Sequence, residues 1–87
     1  MKNWQEAKQA FIKEHLSKSL KAPNIRLSVL TKIENAIQTE EPEYLMRDNI
    51  FKKFEKNAFL DFYASLKGTH LNSAEKSVIN GLYKFSV

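Results

Sequence analysis

The side chains that most often carry chemistry in proteins are few and scattered in this sequence of 87 residues. Cysteine is absent, which excludes thiolate catalysis and thiolate ligation of a metal. The two histidines, His15 and His70, lie far apart, and neither belongs to the Glu-x-x-His motif of di-iron helical bundles. We expect a hydrogen-bonded structural role for His15 and an exposed loop position for His70, and we predict no metal site.

The carboxylates show no pairing of the kind that acid–base catalysis needs. Asp48 and Asp61 are the only aspartates, and their spacing places them well apart around a helix. The glutamates around Pro42 fit the positive end of a helix dipole, with a cation site as the alternative. Gly68 and Gly81 are too far apart to form a phosphate-binding loop. We therefore predict a protein that is not an enzyme, with no catalytic residue, cofactor or small-molecule substrate.

The composition indicates that helices position these side chains. With 43% hydrophobic and 28% charged residues, the chain is neither a disordered tail nor a membrane span. Two glycines and two prolines are too few for the tight turns of a sandwich or barrel. The amino terminus shows no apolar secretory signal, so we expect a cytoplasmic protein.

Apolar residues recur at helical spacing in four segments that the sequence punctuates with caps and breakers. The predicted helices cover about residues 3–21, 24–39, 42–67 and 72–86 of a single domain spanning 1–87. Asn3 with Glu6, and Asn72 with Glu75, have the spacing of a capping box. Gly68 is expected to end the third helix. Short connections between four amphipathic helices predict an all-α, antiparallel up-down-up-down four-helix bundle.

Fourteen basic and ten acidic residues give a net charge of +4, and the excess lies mainly in the second half of the chain. This balance favours anionic neighbours such as nucleic acid or a lipid headgroup surface. The best nucleic-acid candidates are Arg47, Lys52, Lys53 and Lys56. They also have the pattern of a solvated helix face, and the last helix has few base-reading side chains, so the sequence does not favour nucleic acid as the partner.

Tyr83 points away from the apolar stripe of the last helix. An aromatic side chain in such a position either contacts a partner or packs against the side of a neighbouring helix with its hydroxyl in water. The sequence leaves both readings open.

The chain resembles the immunity proteins of pediocin-like (class IIa) bacteriocins, especially those of the enterocin A type. The resemblance spans most of the chain and begins with a lysine-rich first helix. The residues that carry it further are Pro23-Asn24, Leu30-Thr31-Lys32-Ile33, Phe59, Phe62, Tyr63, Ala64, Glu75, Lys76, Val78, Ile79 and Leu82.

The resemblance implies a cytosolic, antiparallel four-helix bundle that protects a cell from a pore-forming peptide by binding and not by catalysis. The partner it implies is a membrane receptor complex of the mannose phosphotransferase type, recognised from the cytoplasmic side after the bacteriocin has engaged it, with peripheral contact to the inner membrane surface. Specificity would lie in the carboxyl-terminal half. The candidate partner-binding residues there are Tyr63, Leu71, Tyr83, Lys84 and Phe85.

The alternative is a small helical regulator, of phage origin for example, that binds DNA or inhibits a host protein. The same amphipathic pattern and modest positive charge suit that function.

Overall fold

A computed structural model describes residues 2–17 and 23–87. The α-helices in these ranges are α1 (Trp4–Ser17), α2 (Pro23–Glu40), α3 (Ile50–Lys53), α4 (Lys56–Lys67) and α5 (Ser73–Ser86), and a 3-10 helix covers Pro42–Leu45. No strand occurs in the described ranges, so the all-α prediction is confirmed. The predicted end of the first helix, at about residue 21, lies outside the described residues, as does the side chain of His15.

Two capping boxes begin the first and the last helix. The Asn3 side chain accepts from the Glu6 N–H at 2.9 Å, and Glu6 Oε1 accepts from the Asn3 N–H at 3.1 Å. Asn72 and Glu75 repeat this arrangement at α5, with distances of 2.9 and 3.0 Å. Both predicted capping boxes are confirmed, and each supplies two helix-end N–H groups with acceptors.

The prediction of one long third helix over residues 42–67 was wrong. The Asn49 side chain accepts from the Phe51 N–H at 3.0 Å and begins a new helix, and Phe54 and Glu55 then adopt extended backbone conformations. A straight helix over this range would be about 39 Å long, which exceeds the 32 Å long axis of the fold. The breaks also bring Leu45 and Ile50 into the core, whereas one helix could not turn all its apolar sides inward.

The core is built around α5, which packs against α1, α2 and α4. Trp4 is fully buried and stacks on Phe51 and Phe59, with ring centroids 6.0 and 6.4 Å apart. The buried apolar side chains are Trp4, Ala7, Phe11, Leu30, Ile33, Ile37, Leu45, Ile50, Phe51, Phe59, Tyr63, Val78, Ile79 and Leu82. Residues from every α-helix thus contribute to one core.

Gly68 ends its helix as the sequence predicts, and Gly81 lies at a close contact between two helices. Gly68 adopts a left-handed conformation, with φ of 75°, and ends α4. At Gly81, α1 and α5 approach so closely that a Cβ atom would lie 2.6 Å from Cε2 of the Phe11 ring. The missing side chain at Gly81 is therefore what allows the two helices to pack.

A polar cluster joins α1 to α2 at the edge of the core. Glu34 accepts from Trp4 Nε1 at 2.9 Å and from Lys8 Nζ at 2.9 Å. Partial burial opposes ionisation of Glu34, but these bonds and the Lys8 charge outweigh it and hold the pKa of Glu34 below its ordinary value. The carboxylate is therefore charged in the folded protein and fixes the position of the buried Trp4 ring.

Candidate functional site

The carboxyl-terminal half of the chain forms a helical hairpin from α4 and α5, which residues 68–72 connect. At the turn, Lys67 of α4 contacts Glu75 of α5, and at the other end Tyr83 of α5 reaches Phe54, which precedes α4. These contacts show that α4 and α5 run antiparallel. The hairpin has an inner side against the core and an outer side that the remaining described residues leave open.

A buried carboxylate holds the turn of the hairpin together. Glu75 is 5% exposed, and its Oε1 accepts from Lys67 Nζ at 2.7 Å as well as from the Asn72 N–H. Burial disfavours the ionised form, but the bonds from Lys67 and Asn72 outweigh it, so the pKa of Glu75 is lowered. Burial, the Glu75 charge and a hydrogen bond to Glu75 raise the pKa of Tyr63 to about 12. Tyr63 is thus neutral beside the Glu75 carboxylate.

Tyr83 holds the opposite end of the hairpin. Its hydroxyl donates to the Phe54 carbonyl at 2.6 Å, and its ring packs edge-on against Phe51 and Phe59. Burial is the main cause of a raised pKa of Tyr83, and the nearby Glu55 carboxylate adds to it. The packing therefore turns the hydroxyl toward the protein and not toward water.

The five partner-binding candidates predicted from the sequence occupy different environments. Tyr63 is buried, and Tyr83 and Phe85 are half-buried, with Phe85 packed edge-on against Phe11 of α1 at 6.3 Å between ring centroids. Leu71 is half-buried at the turn, and Lys84 is exposed on α5. The structure therefore does not bring the five together: Lys84 is exposed to solvent, while Leu71 and the three aromatic candidates contribute to packing of the core.

An open groove runs along this outer side between α4 and the turn. Its apolar floor is formed by Leu60, Ala64 and Leu71, and its polar rim by Asp61, His70 and Lys76. We call these six residues the outer groove. Of these six residues only Leu71 was predicted as a contact. Leu60 and Ala64 lie off the predicted core-facing stripe, which indicates either a second neighbour or an exposed apolar surface, and the half-buried Leu60 packs against the core from the groove side.

The exposed residues of α5 include Ser73, Lys76, Asn80 and Lys84, and of these Lys76 lines the outer groove. The one acidic residue of α5, Glu75, is buried and paired with Lys67. The surface of α5 therefore carries charge of a single sign.

The basic residues considered as nucleic-acid contacts, Arg47, Lys52, Lys53 and Lys56, lie before α4 or at its first position. Arg47 pairs with Glu43 at 3.4 Å, and Lys53 Nζ lies 5.4 Å from the centroid of the Tyr44 ring. Residues 43–56 hold four basic and three acidic side chains, counted from the sequence. Because the signs alternate, this segment lacks the uniform positive field that phosphate binding requires.

The described residues contain no group of three His, Cys, Asp or Glu side chains that could hold a metal ion. Within the same ranges, none of the helices is both long and apolar enough to cross a bilayer. Comparison with protein-family models, curated proteins and solved structures finds no match to this chain. The outer groove combines half-buried apolar residues with an exposed polar rim, a pattern that also occurs at protein–protein interfaces.

Proposed function

We propose that this chain is an immunity protein against a pediocin-like pore-forming peptide and that it acts by docking to a bacteriocin-engaged membrane receptor complex. One observation carries the proposal: the hairpin of the carboxyl-terminal half presents an open groove that combines apolar and polar side chains on its outer side. This is the half to which the family resemblance assigns specificity. The resemblance and the all-α fold support the same proposal.

In the proposed architecture the four long helices form an antiparallel up-down-up-down bundle. The antiparallel pairing of α4 and α5 supports it, and so does the contact of α5 with α1, because the first and last helices of such a bundle are neighbours. Docking then uses a face of the bundle and leaves its core intact.

The outer groove suits docking because it is rigidly supported. The Glu75 cluster fixes the turn, and the Tyr83 hydroxyl fixes the far end of the hairpin to the Phe54 carbonyl. A surface that is already ordered loses less conformational entropy on association than a flexible one. In the proposed complex, Leu60 and Leu71 contact an apolar surface of the receptor complex at the inner face of the membrane, and Lys84 contributes at the polar edge.

The proposal is tested by expressing the chain in a strain that pediocin-like peptides kill. We expect the minimal inhibitory concentration of at least one such peptide to rise relative to the same strain with an empty vector. A pore-forming peptide that needs no protein receptor serves as the control, and its potency should stay unchanged because the proposed docking is to a receptor complex. If no pediocin-like peptide loses potency although the folded protein accumulates, the proposed function is wrong.

A further inference from the structure

The sequence contains a single Asn-Gly pair, Asn80-Gly81, and it lies inside α5. The main-chain nitrogen of the following residue attacks an asparagine side chain most readily when that residue is glycine, because no Cβ atom obstructs the approach. Asn80 is exposed on the surface of the helix, so water reaches its side chain. The pair therefore has the residues that spontaneous deamidation needs.

The packing of α1 against α5 explains why glycine follows Asn80. A Cβ atom at Gly81 would lie 2.6 Å from Cε2 of the Phe11 ring, so a larger residue would push the two helices apart. The missing side chain that permits this close approach also leaves the Gly81 nitrogen unshielded. Close helix packing and chemical lability thus have a common cause at this position.

The helix itself suppresses the reaction. Each interior N–H of an α-helix donates to the carbonyl four residues earlier, and the backbone dihedral angles are fixed. Cyclisation needs a free Gly81 nitrogen and a rotation about the Cα–C bond of Asn80. The last part of α5 must therefore open before the pair can react.

Two hydrogen bonds to other parts of the chain hold the last part of α5 closed. The Tyr83 hydroxyl donates to the Phe54 carbonyl at 2.6 Å, and the Ser86 carbonyl accepts from the Lys2 N–H at 2.8 Å. Both bonds lie beyond Gly81 along the helix, so both oppose the opening that the reaction requires. They therefore control the fraction of molecules in which the pair is reactive.

We propose that Asn80 is a site of spontaneous deamidation whose rate is set by the opening of the last part of α5. In the open helix the Gly81 nitrogen bonds to Cγ of Asn80, the Cγ–Nδ2 bond breaks, and the side-chain amide leaves as ammonia with the proton of the Gly81 nitrogen. Water then opens the cyclic imide at either carbonyl and gives aspartate or isoaspartate. The inference is independent of the proposed function, because the reaction needs only the chain and water.

The two products have opposite consequences for α5. Aspartate in place of Asn80 would lie four residues from both Lys76 and Lys84, a spacing at which ion pairs support a helix. Isoaspartate directs the main chain through Cβ and adds one atom to it, which displaces Gly81 from its contact with Phe11. The first product therefore preserves the helix with a new negative charge between two lysines, and the second disrupts the packing of α5 against α1.

The test incubates the full chain at mildly alkaline pH and measures the conversion of each asparagine by proteolytic digestion and mass spectrometry. In concentrated urea we expect Asn80 to convert ahead of the six other asparagines, and we expect Gly81→Ala to slow its conversion. In the folded chain Asn80 should convert about tenfold more slowly than in urea, or slower still, since only open molecules react.

Tyr83→Phe tests whether opening of the last part of α5 controls the reaction. Loss of its hydrogen bond should raise the conversion rate of Asn80 in the folded chain about fivefold and leave the rate in urea unchanged. Thr39→Ala is the matched control, because it removes a hydroxyl-to-carbonyl hydrogen bond from the end of α2. It should change neither rate.

Three results would overturn the inference: conversion of Asn80 in urea no faster than that of the other asparagines, equal conversion rates in the folded chain and in urea, or a folded-state rate that Tyr83→Phe leaves unchanged. The Asn80→Asp variant reproduces the aspartate product and should keep the urea midpoint of the native chain, whereas the purified isoaspartate form should have a lower midpoint. A lower midpoint for Asn80→Asp would contradict the ion pairs with Lys76 and Lys84.

Discussion

Replacement of Glu75 by alanine is the sharpest test of how the hairpin is held together, because the chain contains its own control. Glu6 makes the same capping box with Asn3 at the start of α1, but its side chain is exposed. The loss of such an exposed capping bond costs about 0.5 to 1 kcal/mol. We expect Glu6→Ala to reduce the free energy of unfolding by this amount.

Glu75→Ala removes the same kind of capping bond and two further interactions. Tyr63 is 3% exposed and the Glu75 carboxylate acts on its hydroxyl, so that hydroxyl would lose a favourable polar neighbour in a buried position, at a cost of about 1 to 3 kcal/mol. The side chain of Lys67 is 30% exposed and can return to water, so the ion pair adds at most about 1 kcal/mol. The expected total is about 3 kcal/mol, which lowers the melting temperature of a chain of this size by about 15 °C.

Urea denaturation followed by the fluorescence of Trp4 measures the free energy of unfolding of Glu6→Ala and Glu75→Ala, because the single tryptophan is fully buried in the folded protein. Glu75→Gln is the conservative comparison: an amide oxygen still accepts in the capping box, so we expect a loss of only about 1 kcal/mol. If Glu75→Ala and Glu6→Ala destabilise the protein equally, the buried cluster does not stabilise the turn and the reasoning is refuted.

Three further predictions concern stability. The folded-state pKa values of Glu34 and Glu75 lie below the ordinary glutamate value of 4.5, so the stability that their charged forms contribute is complete above that pH and is lost as the pH falls through the lowered values. The urea midpoint should therefore fall on acidification. It should fall less in the Glu34→Gln/Glu75→Gln variant. Gly81→Ala should destabilise the folded protein by about 1 kcal/mol, since overpacking against the Phe11 ring costs more than the roughly 1 kcal/mol gained in helix propensity. A variant that is more stable than the native chain in the same denaturation assay would contradict the close approach of α1 and α5. Tyr83→Phe should cost about 1 kcal/mol in unfolding free energy through loss of its hydrogen bond, and an unchanged urea midpoint would show that this bond is not needed.

Local signals in the sequence were sufficient for the starts of α1 and α5 and for the end of α4. The two capping boxes and the left-handed Gly68 depend on side chains within a few residues of each other, so spacing alone identifies them. The contact of Gly81 with Phe11 was also accessible, because a glycine on an apolar stripe indicates close packing.

Features that depend on distant contacts could not be predicted. The break at Phe54 and Glu55 carries neither proline nor glycine, and its extended conformation is compensated by packing of aromatic rings around it. The role of Tyr83 depends on where the Phe54 carbonyl lies, which only the tertiary structure determines. For the outer groove, the position of Leu60 outside the core stripe was a usable signal, but the adjacency of Lys76 required the hairpin to be formed.

The most direct test of the central claim, that the outer side of the α4–α5 hairpin performs the protein's function, is the protection of sensitive cells by surface variants. The native chain and Lys32→Glu, a charge reversal at an exposed position of α2, should raise the minimal inhibitory concentration of a pediocin-like peptide to the same extent. Lys76→Glu, a charge reversal on the rim of the outer groove, should lose most of that protection at equal protein levels. Equal protection by all three proteins, or loss of protection with Lys32→Glu alone, would contradict the claim.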